Sequence, residues 1–263
     1  MGRSVWYRLR EGAQYGIFHH REGPGIAPDA PRKTGFPRFW ETLSRDFWDV
    51  FRAGFLALAG CLPFLAGAAF SLHSHVLLFA PVCGLLGGAI AGPELCALAD
   101  TILRGLRDEP GFWWHTYRRA WKRSAKASLL PGAAGGLLLS MQVFLLFHAG
   151  ALGLSVSAGA GLAAGILLVL AVSIYLWPLL ALMELHFLQL LKNSALLFLG
   201  QLPRSLAALA ILAGYIGLML RFFPLSGSLL PFLNLWLPAL PGLFLIYPGI
   251  NESFRIEERL RGK

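Results

Sequence analysis

Six polar side chains lie in or beside stretches that otherwise offer no hydrogen-bonding partner: Glu94, Asp100, Gln142, Glu184, His186 and Asn234. At membrane depth such groups cost several kcal/mol unless they are paired, so they are the first candidates for chemistry. Glu94 follows Gly92-Pro93 directly. The proline removes a backbone donor and leaves carbonyls in the preceding turn unpaired. A carboxylate there could face a polar cavity or pair with Arg104 or Lys192. Equally, Glu94 and Glu184 fit acids that cap a helix at the membrane surface. His73-Ser74-His75 offers two imidazoles, too few for a metal centre, and reads as a polar turn.

Enzyme signatures are missing. The sequence has no G-x-x-x-x-G-K-[ST], no G-x-S-x-G and no H-E-x-x-H. Its scattered acids form no spaced pair on one helix face suited to acid–base work. The reading is therefore of a protein that is not an enzyme, with no cofactor and no metal. Cys61, Cys83 and Cys96 all fall within apolar spans, which predicts neither disulfides nor a metal cluster.

The elements that must position these groups are membrane spans. A chain of 263 residues with 56% hydrophobic and 14% charged residues lies far outside soluble averages. Six continuous apolar stretches are drawn as Ala53–Leu72, Val76–Leu98, Ala127–Phe147, Ala158–Met183, Ser205–Leu220 and Leu229–Ile250. Continuous runs that do not alternate predict helices rather than a barrel. The three odd-to-even turns then hold one charge, Arg221, of 23 basic and 14 acidic residues. Basic residues stay on the cytoplasmic side during insertion, so both termini are expected inside. The net charge of +9 is read as this topology signal plus attraction to anionic inner-leaflet lipid, with no nucleic-acid partner.

Residues 1–35, with Gly23-Pro24-Gly25, Pro28 and Pro31, read as an irregular cytoplasmic tail, and 257–263 are taken as the cytoplasmic C-terminal tail. Between them, 36–256 form the helical transmembrane domain. From Pro37, apolar residues including Trp40 and Trp48 keep helical spacing against a charged face, with Glu41/Arg45 and Arg45/Asp49 at i,i+4. This predicts an interfacial helix on the inner leaflet before the first span. The segment Ala99–Lys126 interleaves Trp113, Trp114 and Trp121 with Arg118, Arg119 and Lys122. Single-stranded nucleic acid can bind such a composition, but flanking spans favour rings at headgroup level and cations on phosphate. These Trp and Arg/Lys residues are also the candidate docking surface for a protein partner. Glu184–Arg204 reads as another helix half sunk in the interface.

Gly84, Gly88 and Gly92 recur at four-residue steps, and Gly132/Gly136 and Gly161/Gly165 repeat the pattern. Such ridges let helix backbones approach closely, within one compact bundle or at a homodimer face. The bundle reading is preferred, and the oligomeric state stays open. Pro231, Pro238, Pro241 and Pro248 punctuate the sixth span, as in the broken helices that expose backbone groups in transporters.

Several stretches resemble the YesL-like family of bacterial membrane proteins. They are Gly23-Pro24-Gly25 through Lys33 with Phe36–Phe51; Gly92-Pro93 with Ala97-Leu98 and then Phe112–Lys126; and Trp177-Pro178 running through Leu188–Asn193 to Leu202-Pro203-Arg204. Glu94 and Asp100 depart from the small or aromatic residues usual there. The resemblance implies a multi-pass protein of the bacterial cell membrane, encoded beside carbohydrate importers of the ABC type, with no catalytic residues to carry over. The function expected is a non-catalytic partner of such an importer. The alternative is a small transporter using Pro93, Glu94 and the proline-broken sixth span. An importer permease is disfavoured, because Glu94-Leu95-Cys96-Ala97 matches its coupling-loop signature poorly.

Overall fold

Where helices begin and end is set here by a few turn residues, because the apolar runs give the chain little other reason to stop. A computed structural model describes residues 33–109, 111–183 and 185–261. The described residues are helical with short connections and contain no strand. The predicted irregular tail through Pro31 and the candidate Glu184 lie outside them. The described residues divide into two units, the first ending at Arg38 and the second beginning at Phe39. In the first, Gly35 adopts a φ of 65°, and its carbonyl accepts from the Arg38 amide at 3.1 Å.

The helices are α1 (Phe36–Ser74), α2 (Phe79–Arg107), α3 (Trp113–Phe147), α4 (Val156–Leu182), α5 (Phe187–Gly200), α6 (Leu202–Arg221), α7 (Leu225–Leu229), α8 (Trp236–Phe254) and α9 (Ile256–Arg261). Five of them, α1 to α4 and α6, are long and apolar enough to cross a membrane. The chain is thus built as a multi-pass helical membrane protein.

Two expectations are corrected in detail. The amphipathic stretch after Pro37 is no separate interfacial helix, because α1 runs unbroken for 39 residues. That exceeds what ~30 Å of hydrocarbon requires, so the helix crosses and extends beyond it. Likewise the aromatic and basic latter half of Ala99–Lys126 is no separate interface helix but continues into the third span. The whole segment is the end of α2, a tight turn and the start of α3. The turn forms because Asp108 takes a left-handed conformation (φ 59°) while Glu109 N–H bonds the Arg104 carbonyl at 3.0 Å. By contrast Glu184–Arg204 does contain its own helix, α5, which buries Leu190, Ser194 and Leu197 on one face.

The stretch drawn as a sixth span, Leu229–Ile250, is helical as one piece only from Trp236. Asn234 explains the late start. Its Oδ1 accepts from Trp236 N–H at 3.1 Å, while its Nδ2 donates to the Pro231 carbonyl at 3.0 Å. Helix α8 is 19 residues long and holds Pro241, Pro248 and Glu252, which dilute its apolar character. After it, α9 folds back: Glu257 N–H bonds Asn251 Oδ1 at 3.0 Å, and Tyr247 Oη donates to Glu257 at 3.1 Å.

Packing is uneven along the bundle. The core gathers Val50 to Ala57 of α1, Cys96 to Leu106 of α2, Tyr117 and Ala120 of α3, Tyr175 to Ala181 of α4, Ala208 of α6 and Leu240 to Ile250 of α8. All lie towards the end where charges concentrate, hereafter the charged end. At the opposite end, carrying the turns after α1 and α3, large apolar residues such as Phe70, Leu86, Phe147 and Leu168 are exposed. There α2 and α3 approach closely. A side chain at Gly88 would strike the Gly132 carbonyl, and one at Gly84 would stand 2.6 Å from the Gly136 carbonyl. Gly92 fits against Ser128 in the same register. The ridges of small residues therefore serve packing within the chain. Gly165 faces Gln142, whereas Gly161 meets nothing within 4 Å.

Candidate functional site

The charged end collects side chains from α1, α2 and α3 that the sequence places far apart. Asp100 on α2 is buried, and it accepts from Arg104 Nε one turn along at 2.7 Å. It also accepts from Arg123 Nη2 of α3 at 3.1 Å. Arg123 donates a second bond, at 2.6 Å, to the Ala181 carbonyl near the end of α4. One carboxylate thus anchors two guanidiniums, and one guanidinium ties three helices. Charge-assisted bonds of this kind are about twice as strong as neutral ones.

Around the turn, Arg107 donates to both oxygens of Glu109, at 2.7 and 3.1 Å. Arg104 adds an ion pair to Glu109 at 3.5 Å. Partial burial alone would push the Glu109 carboxyl up, but Arg107, Arg104 and Arg119 together outweigh it and hold the group below the usual range. Arg45 of α1 completes the cluster. It was expected to pair along its own helix with Glu41 and Asp49; instead it bonds Asp46 at 2.7 Å, the Gly105 carbonyl at 2.7 Å, and Asp108. Arg45 therefore clasps the end of α2.

Glu94 sits deeper, half-buried, one position beyond a Pro93 that α2 absorbs without breaking. Its Oε2 accepts a short hydrogen bond from Tyr117 Oη of α3. Neither Arg104 nor Lys192, the partners considered from sequence, makes that bond. Gly60 of α1 leaves the space that the Glu94 side chain fills. The remaining polar candidates are structural or peripheral. Asn234 is fully buried and starts α8, with Gly54 of α1 making room for it. Gln142 packs on Gly165, and its Oε1 is buried without a hydrogen-bond partner. His186 is exposed at the start of α5 and makes no capping bond. Gly92, Pro93, Ala97 and Leu98 are buried packing positions.

The docking candidates are arranged differently. Trp40, Trp48 and Trp114 are 60%, 64% and 57% exposed, and Trp121 is exposed as well. Arg118, Arg119 and Lys122 on the first turns of α3 are also exposed. Trp114 stacks parallel to Tyr117, with centroids 6.5 Å apart. Trp113 is the exception: it is half-buried, with Arg52 of α1 over its ring at 5.6 Å.

At the opposite end, His75 and His148 join two turns by a ring-nitrogen contact of 2.8 Å. His148 Nδ1 lies 3.0 Å from the Phe144 carbonyl and so donates to it, leaving Nε2 to accept from His75. His73 and Ser74 end α1 and His75 lies in the turn after it; the partner of His75 from the second turn was not foreseen. No group of three potential metal ligands occurs among the described residues. Tyr117, Arg123 and Arg45 were missed as partners for one reason. Their contacts depend on how α1, α2 and α3 are offset, and apolar periodicity does not encode that offset. No family model matches the chain, and neither a curated protein nor a solved structure is similar to it.

Proposed function

We propose that this protein is a non-catalytic partner of an uptake system in a bacterial cell membrane, with the charged end and both termini in the cytoplasm. Helix α8 packs on the charged half of α1, Trp236 against Phe47 and Phe244 against Phe39, which keeps it on the side of the charged end. The observation that carries the proposal is a contrast at the charged end: Asp100 of α2 and Arg123 of α3 are spent on holding helices together, whereas Trp114, Arg118, Arg119, Trp121 and Lys122 of α3 stand exposed. Aromatic and Arg side chains of that kind are enriched at protein interfaces and at lipid headgroups. The carbohydrate importer of the ABC type, as the partner, rests on the YesL-like motifs alone.

Affinity purification from mild detergent tests this. Importer subunits should co-purify with the wild type and be lost with Trp114→Ala/Trp121→Ala. Recovery of no importer subunit above background would refute the partnership.

Glu94 supports a second reading, a small transporter, because the bond it accepts comes from a phenol rather than a cation. The cavity lined by Leu95 and Leu98 on the same helix is overwhelmingly apolar, which gives a polar solute little to bind. Solute flux into proteoliposomes that Glu94→Gln abolishes would establish this reading over the first.

A further inference from the structure

Helices α4 and α6 touch closely only near the charged end, where Tyr175 Oη and Ser205 Oγ bond at 2.8 Å. Beyond that point they diverge. The buried residues of α6 are Ser205 and Ala208, and those of α4 begin at Ala171 and run towards the charged end. Between them opens an apolar cavity of about 770 Å³, lined on α4 from Leu168 to Pro178 and on α6 from Ala208 to Leu220, with faces of α1, α2, α3 and α8 closing the rest. Such a volume falls within the ~300–1,000 Å³ of small-molecule sites.

We propose that this groove holds one acyl chain of an anionic phospholipid from the leaflet at the charged end, with its phosphate on Lys192 and Arg204. Three observations select this occupant. The lining on α4 runs over the ten steps from Leu168 to Pro178, about 15 Å at 1.5 Å per residue. That is half of the ~30 Å hydrocarbon core, the reach of one leaflet's chain. The lining includes Phe187, Leu191 and Ala208 at the charged end. Lys192 follows Leu191, and Arg204 precedes Ala208 by one turn; both are exposed. Finally, the charged side chains among the described residues of α4, α5 and α6 are Lys192, Arg204 and Arg221, all basic, so nothing acidic on these helices opposes a phosphate. Gly135 and Gly242 line the cavity, and a side chain added at either meets nothing within 4 Å. The space is open enough for a ligand, and bulk introduced there would displace it.

The test uses the full chain in vesicles of phosphatidylcholine and phosphatidylglycerol, with retained lipid counted by native mass spectrometry after extraction. Wild type should retain one phosphatidylglycerol in preference to phosphatidylcholine. Gly135→Leu and Gly242→Leu should lose the retained lipid of either kind. Lys192→Gln/Arg204→Gln should keep a lipid but lose up to about thirtyfold of the preference, the scale expected for two basic residues at an anionic surface. Inorganic phosphate alone should not compete, because it cannot fill the groove. Retention unchanged in both glycine variants would overturn the proposal. So would no retained lipid in wild type, or a wild-type dimer that Gly135→Leu dissociates, since a second copy would then occupy the groove.

Discussion

The two ends of this bundle are held together by different physics. At the charged end, buried apolar residues from α1, α2, α3, α4, α6 and α8 enclose a network of ion pairs centred on Asp100. Towards the other end the helices separate, large apolar side chains face outward, and glycine contacts of α2 with α3 supply the tight packing. Lipid explains the difference. Hydrocarbon solvates exposed Leu and Phe as well as a neighbouring helix does, so outward-facing apolar residues carry no penalty there. Charges near the bilayer edge have no such option and must find partners. One end is specified by polar satisfaction and the other by shape.

The sharpest way to break this contrast is to remove the shared carboxylate. Asp100→Ala strands Arg104 and Arg123 and should cost about 3 kcal/mol, the lower end for breaking a buried pair because Arg123 is 46% exposed. Thermal unfolding in detergent reads the loss. A change as small as that of a surface pair would place Asp100 outside the structural core.

Next in size are the glycines. Gly88→Leu forces a side chain into the Gly132 backbone and should cost about 1–3 kcal/mol by overpacking. Gly161→Leu, where nothing stands within 4 Å, should be neutral or slightly stabilising through helix propensity. Equal effects in the two variants would mean that the seam is not the close contact described.

Tyr117→Phe removes the bond to Glu94 and should cost about 1–3 kcal/mol. The same melts would measure it, and Tyr117→Phe with Glu94→Gln should cost less than the sum of the two single changes if they are coupled.

The smallest effect is pH dependence at the turn. The Glu109 carboxyl is held below its usual range, so the stability it contributes is present above the unfolded-state pKa and lost as pH falls through the lower folded value. Acid melts of Glu109→Gln and wild type should therefore converge at low pH and diverge towards neutrality, with wild type the more stable. Parallel curves would remove Glu109 from the network.

What was legible in the sequence follows the same division. The apolar runs located all five membrane-length helices, because span length and hydropathy are local properties. The steps Gly84-Gly88-Gly92 and Gly132-Gly136 pointed to close helix contact within the chain, and the structure places them face to face. Long-range pairing was not legible. Nothing local to Glu94 names Tyr117, and nothing local to Arg45 names Asp108. Helix boundaries also escaped where a continuous pattern hid a junction. Amphipathic residues after Pro37 look like a separate surface helix, yet an α-helix that leaves the bilayer has no cause to stop without a breaker. At Leu229–Trp236 the reverse holds, since an apolar run conceals the Asn234 turn that interrupts it.

The central claim is that the neutral turns and the charged end lie on opposite faces of one membrane, with the charged end inside. Single cysteines introduced as Leu152→Cys and His115→Cys, in chains lacking the native cysteines, test it with an impermeant maleimide on intact cells. The account predicts that Leu152→Cys is labelled from outside and His115→Cys only after permeabilisation. Labelling of both from the same side would contradict it.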